Sequence, residues 1–187
     1  MSNKESIPYF FNSVNWKELI DQYQPAPTFF QDHYLLPPEK IKELQNQKLA
    51  NCLEHAWSTD FYRKRWEECG VKDIKQVGDV DQHNELPSYV VDDLRQSIQS
   101  KPPFGTYQGV QFSDAEKIGP IRIHTSGGTT GQPRPTLYTV QDRQVGSLLR
   151  ARAFYLAGFR PGDAVQNTLL YSTHNGPFIV DEALYDW

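Results

Sequence analysis

The run His124-Thr125-Ser126-Gly127-Gly128-Thr129-Thr130-Gly131-Gln132-Pro133-Arg134 gathers three glycines, three threonines and a serine in one short stretch. Glycine lets the backbone take positive φ and lets a ligand come close to the main chain. Successive backbone N–H groups in such a turn can converge on an anion. Hydroxyls add donors that rotate toward phosphate oxygens. The chemistry this combination suits is phosphate handling, of a nucleotide above all. An ordinary hairpin turn is the alternative, but a hairpin needs one or two glycines and gains nothing from the further hydroxyls. Two familiar phosphate motifs do not fit. Gln132 stands where a P-loop needs Lys, and the glycines at 127, 128 and 131 lack the dinucleotide spacing. Pro133 and Pro135 also oppose a helix directly after the loop.

Elements must position this run. Ile118–Ile123 before it and Pro135–Val140 after it read as strands. Thr139 with Asp142 three residues on forms a capping box for a following helix, expected to bury Val145, Leu148, Leu149, Ala153 and Leu156. Arg143, Arg150 and Arg152 on that helix could reach a ligand, but read first as solvated surface. Gly158 to Asp163 reads as a turn, and Ala164 to Tyr171 as a buried strand. Strand, helix, strand in that order implies a parallel α/β unit. Pro177 then opens a helix in which Val180, Ala183, Leu184 and Trp187 recur at i, i+3, i+4 and i+7. That apolar pattern runs to the last residue, which leads to the expectation of a fragment, or of a surface completed by another chain.

Upstream the pattern is helical. Residues 1–36 are aromatic-rich and broken by Pro8, Pro25 and Pro27, with a short helix about Trp16 to Tyr23. Pro37-Pro38 opens a stronger helix with Ile41, Leu44, Leu49, Cys52, Leu53 and Ala56 on one face. Asp60 is expected to cap another that ends at Gly70, and a third spans about Ser88 to Gln99. Lys101-Pro102-Pro103 marks a boundary. The expected division is therefore a mainly helical region over 1–103, then the start of an α/β domain over 104–187.

With 187 residues, 38% of them apolar and 13% aromatic, a packed core is affordable. The net charge of −4 and the absence of a basic stripe argue against a nucleic-acid partner. No apolar run is long enough for a bilayer and no signal-peptide core follows Met1, so a cytoplasmic location without membrane association is expected. Cys52 and Cys69 suit a reducing compartment, and with His55 and His83 they match no zinc spacing, so no metal site is assigned. No Ser–His–Asp order or paired carboxylates marks a hydrolytic site.

The Gly/Thr run resembles the phosphate loop of the adenylate-forming (AMP-binding) enzymes. It is most similar to the phenylacetate–CoA ligase branch, which reads Ile-His-Ala-Ser-Ser-Gly-Thr-Thr-Gly-Lys-Pro where this chain has Ile123 to Pro133 without a gap. Gly127 replaces a Ser and Gln132 a Lys, while Arg134 takes the place where the wider superfamily has Lys. Phe61 to Val71, Leu86-Pro87 with Asp92-Asp93-Leu94-Arg95, Pro103-Phe104-Gly105 and Tyr171 to Gly176 resemble further segments of that branch. The resemblance runs from about residue 60 to the end and implies the N-terminal portion of such an enzyme. The fold implied is α/β, a helical region followed by the first strands and helices of the large domain, truncated.

The same resemblance implies an acid–CoA ligase using ATP, Mg2+ and coenzyme A, inactive as this piece alone. Thr125, Ser126, Thr129 and Thr130 would hydrogen-bond the β- and γ-phosphates, with the backbone of Gly127, Gly128 and Gly131 closing over them. Arg134 would be a phosphate cation or a surface residue after a turn. Tyr171, His174, Asn175 and Gly176 would wall the pocket of a small carboxylic acid, aromatic acids included; Tyr171 also suits core packing and Asn175 a helix cap. The implied partner is the rest of its own chain or a complementing chain. A non-catalytic assembly module, with a remnant loop and docking through the apolar C-terminal helix, is the alternative. A kinase-like phosphate binder is a third, against which the missing loop Lys counts.

Overall fold

The structure is a computed structural model that describes residues 9–111, 113, 115–126 and 133–187. The described residues are mostly helical, with one small two-stranded sheet among them. Two compact units are formed. One consists of Leu36–Val110, and the other joins the residues before it to Gln111–Trp187.

Within Leu36–Val110, α4 (Pro38–Trp57) begins with proline in its first turn, where no intrahelical N–H is needed. Leu53 of α4, Trp66 of α5 (Asp60–Glu68) and Ile74 form the core, and the rings of Trp57 and Trp66 stack at 6.2 Å. Ile41 and Cys52, expected on the buried face of α4, are exposed. Gly70 stops α5. Its φ of +91° lets Gly70 N reach Glu67 O and Val71 N reach Trp66 O, which satisfies two carbonyls at the helix end. α6 (Val91–Ser100) closes the unit, with the Asp93 carboxylate accepting the Val90 N–H at 2.8 Å.

The other unit carries the sequence of chemical interest. Short helices α1 (Tyr9–Asn12), α2 (Trp16–Gln22) and α3 (Ala26–Asp32) precede α7 (Ala115–Ile118), strands β1 (Arg122–Thr125) and β2 (Pro135–Tyr138), then α8 (Val140–Leu156) and α9 (Gly176–Asp186). The strands pair antiparallel, with Arg122 opposite Tyr138 and Thr125 opposite Pro135. Ile118, expected in the first strand, ends α7 instead. The expected capping box is present: Thr139 Oγ1 accepts Asp142 N at 3.1 Å and Asp142 Oδ2 accepts Thr139 N at 2.9 Å.

Three expectations need correction here. The segment from Ala164 to Tyr171 is neither a strand nor buried; Leu170 is 79% exposed. A strand needs a neighbour to complete its ladder, and among the described residues the single ladder is β1 with β2. The parallel α/β unit is accordingly not formed within the described residues. Secondly, α8 buries Val140, Gln144, Ser147 and Leu148, while Leu149, Ala153 and Leu156 are exposed. Apolar count misplaced the face by about one position, because the stripe includes two polar residues. Thirdly, Arg143 and Arg152 are structural. Arg152 Nε donates to Gln24 O at 2.9 Å with its guanidinium 3.8 Å over the Phe29 ring, and Arg143 pairs with Glu182.

Ser147 Oγ donates to Gln144 O within α8 at 3.1 Å, while Gln144 itself is explained by α9, which packs along α8. Gln144, 1% exposed, donates from Nε2 to Asp186 Oδ2 at 2.8 Å and accepts from Trp187 Nε1 at 3.0 Å. Glu182 accepts from Arg143 and, at 2.8 Å, from Arg122 of β1. Gly146 permits the approach: a Cβ there would lie 2.8 Å from Ile179 Cδ1. The apolar residues of α9 are thus turned toward partners within the chain, with Ala183 buried and Val180, Leu184 and Trp187 half-buried.

His124 is the buried member of β1, 4% exposed, with its ring between Tyr138 and Phe178. Its Nδ1 lies 3.1 Å from Thr173 O. A carbonyl only accepts, so this bond places the proton of the neutral ring on Nδ1. Nε2 is buried and meets no hydrogen-bond partner among the described residues. Burial therefore holds the imidazole below its ordinary pKa, with Arg122 and Arg143 adding to the effect.

Two outcomes follow. Glu182→Gln leaves two guanidinium groups, one of them 11% exposed, without their carboxylate, and should lower unfolding free energy by roughly 1–3 kcal/mol in urea titration. Because the folded pKa of His124 is depressed, its stabilising contribution is present above the unfolded value of about 6.5 and is lost as pH falls through the folded value. Thermal unfolding between about pH 7.5 and about pH 5 should therefore show a shallower pH slope in His124→Gln than in the parent chain; equal slopes would contradict the assignment.

Candidate functional site

The first candidate group is the loop that joins β1 to β2. Its two ends are closed against each other. Ser126 N donates to Arg134 O at 3.0 Å, and Arg134 N lies 3.4 Å from Ser126 Oγ. These bonds extend the antiparallel pairing beyond Thr125 and Pro135 and bring the loop's ends together. Of the residues proposed from sequence, Thr125, Ser126 and Arg134 are placed here; Gly127, Gly128, Thr129, Thr130 and Gly131 lie outside the described residues.

The second group is the segment from Tyr171 to Gly176. Tyr171 is 46% exposed, its ring edge-on to Phe178 at 5.3 Å. Asn167 Nδ2 donates to Tyr171 Oη and to Pro177 O, both at 3.2 Å, which ties the segment to the first turn of α9. Loss of hydration, then the hydrogen bond to Asp181, holds the Tyr171 phenol above its ordinary pKa. Asn175 occupies the N-cap position of α9, yet its side chain makes no capping bond. His174 is exposed and lies over Gly176, where a Cβ would sit 3.3 Å from its Nδ1.

Thr173 joins the two groups. Thr125 N donates to Thr173 O at 2.8 Å, and Thr125 Oγ1 donates to Thr173 Oγ1 at 2.7 Å. The His124 ring meets the same carbonyl. Two stretches 48 residues apart, each singled out by its own composition, are therefore adjacent in space. Thr173 and Asn167 were missed in the sequence: nothing local marks a threonine as the acceptor of a distant strand end.

A cavity of about 800 Å³ opens between the end of α8, the 159–167 turn and α9. Tyr171 lines it, together with Phe154, Tyr155, Arg160, Asp181 and Tyr185, whereas His174, Asn175 and Gly176 do not. Among the described residues no group of three or more His, Cys, Asp or Glu side chains is arranged to hold a metal ion, and no helix is long and apolar enough to cross a membrane.

No family model matches the chain. Known proteins do. The phenylacetate–coenzyme A ligase of Thermus thermophilus is 32% identical over 142 residues, covering 75% of this chain and 29% of that protein. The enzyme of the same name from Escherichia coli is 29% identical over 141 residues, 74% of this chain and 29% of its own length. Among solved structures, 2-hydroxyisobutyryl-CoA ligase in complex with 2-HIB-AMP and CoA, in the thioesterification state, superposes with a TM-score of 0.67 at 28% identity, over 77% of this chain and 29% of that one. The same ligase in the postadenylation state gives 0.64. The chain thus spans under a third of the length of these relatives. By sequence likeness, loop motif and fold, it belongs to the adenylate-forming superfamily, in the phenylacetate–CoA ligase-like branch.

Proposed function

We propose that the chain is the N-terminal part of an ATP-dependent carboxylic acid–CoA ligase. The observation that carries this reading is the adjacency of the Gly/Thr-rich loop to the segment 171–176, through Thr125 and Thr173. In the reaction, a carboxylate oxygen attacks the α-phosphorus of ATP, giving an acyl-adenylate and releasing pyrophosphate. The thiol of coenzyme A then attacks the acyl carbon and displaces AMP, giving the thioester. Both steps ask the protein for positioning and charge stabilisation.

Each part has a stated role in this reading. Residues 104–187 begin the nucleotide-binding domain. Its loop, from Thr125 to Arg134, holds the β- and γ-phosphates through hydroxyls and backbone N–H groups, with Arg134 as the fixed cation in place of the missing loop Lys. Mg2+ bound with the triphosphate would supply charge to offset the departing pyrophosphate. The site of the acid is walled by Tyr171, His174, Asn175 and Gly176, and the exposed ring of Tyr171 suits a small flat acid. The relatives' names and bound acyl-AMP and CoA support the substrate classes. The cytoplasm, which supplies ATP and coenzyme A, is the proposed location. The remaining surface is completed by further sequence of the same protein, and the 187-residue piece alone turns over nothing. A non-catalytic module that docks a partner through α9 is the alternative reading.

Acid-dependent exchange of labelled pyrophosphate into ATP by the full-length protein tests the reading, with aryl and alkyl carboxylates offered in turn. Exchange with one class and none without acid is expected; no exchange with any acid would overturn it. In that assay, Thr129→Ala combined with Thr130→Ala should reduce the rate about tenfold or more, from lost donors to the transition state. An unchanged rate would remove the loop from the nucleotide site.

A further inference from the structure

We propose that Thr125 and Thr173 form a positioning strut that sets the distance between the triphosphate loop and the acid pocket, and that Thr125 does not itself contact phosphate. The inference rests on the ligase reading and changes the role of one loop residue. Thr125 brings two donors, its backbone N–H and its hydroxyl, and both are spent on Thr173, at 2.8 and 2.7 Å. A hydroxyl has a single proton, so Thr125 Oγ1 cannot donate to Thr173 and to a phosphate oxygen at once.

Thr173 in turn is held from three sides. Its carbonyl receives Thr125 N and His124 Nδ1, and its hydroxyl receives Thr125 Oγ1. His124 is fixed between Tyr138 and Phe178. Phe178 belongs to α9, whose seat on α8 is set by Glu182, Gln144 and Trp187. The strut therefore ties the exit of β1 to the helix that follows the acid segment. Neither Tyr171 nor His174, the neighbours of Thr173 on the pocket side, makes such a bond to β1 among the described residues. In-line attack on phosphorus requires the carboxylate and the α-phosphate in one geometry, and small misplacements cost rate heavily. A short hydrogen-bonded link between the two binding groups is the means of holding that geometry.

The test is a double-mutant cycle in the full-length protein, measured by acid-dependent pyrophosphate exchange. Thr125→Val and Thr173→Val each remove one hydroxyl and keep the branched shape. As a strut, each variant loses roughly tenfold in kcat with KM for ATP little changed. The double variant is no worse than either single one, and Thr173→Ser restores most of the rate. Direct phosphate contact by Thr125 predicts otherwise: Thr125→Val raises KM for ATP, Thr173→Val is near neutral, and the effects multiply. That pattern would overturn the strut. Should the parent protein exchange no pyrophosphate with any acid, the ligase reading fails by itself. The same cycle read by thermal unfolding then decides the pairing, and additive losses of the two single variants would overturn it.

Discussion

Two hydrogen bonds from one residue, Thr125 to Thr173, govern the geometry of this chain's chemically distinctive parts. A neutral hydrogen bond adds only about 1 kcal/mol net to stability, so the value of the pair lies in where it holds the backbone. The pair acts beside two other ties from β1 to α9, the Arg122–Glu182 ion pair and the His124 ring against Phe178. Through the pair, the strand end is pinned to a segment that is itself anchored to α9. The loop that leaves at Ser126 and returns at Arg134 starts from that fixed point.

Packing of α9 on α8 makes the fixed point firm. The interface combines a close backbone approach at Gly146 with a buried amide, Gln144, whose two polar atoms are both bonded across it. A carboxylate, Glu182, serves guanidinium groups from both the strand and the helix. Such polar contacts are directional, so they specify one register between the helices where an all-apolar seam would tolerate several. The same contacts account for Gln144 in the buried stripe of α8. His124 fits the pattern: burial among rings and one bonded nitrogen favour the neutral ring, which makes it a spacer below the loop in place of a proton carrier.

What could be read from sequence divides along physical lines. Local signals were legible: the capping box at Thr139, proline opening α4, glycine ending α5, and the glycine–threonine run that marks the loop. Each depends on residues within one or two turns. Interactions over long separations were not. The segment 164–171 looks like a buried strand because Val165, Leu169 and Leu170 are apolar, yet a strand exists only when another strand supplies its ladder. Arg143 and Arg152 look like surface charge until Glu182 and Gln24 are placed beside them. For the candidate site, residue types flagged both groups separately, while their adjacency rests on Thr173, an unremarkable threonine in a polar stretch.

The central claim is that the loop from Thr125 to Arg134 seats the triphosphate directly beside the 171–176 segment. A crystal structure of the full-length protein with a nonhydrolysable ATP analogue tests it most directly. The account predicts the β- and γ-phosphates against Ser126, Thr129 and Thr130, with Thr125 still bonded to Thr173 and the α-phosphate facing Tyr171 and His174. Phosphates bound away from this loop, or a loop displaced from Thr173 on binding, would contradict it.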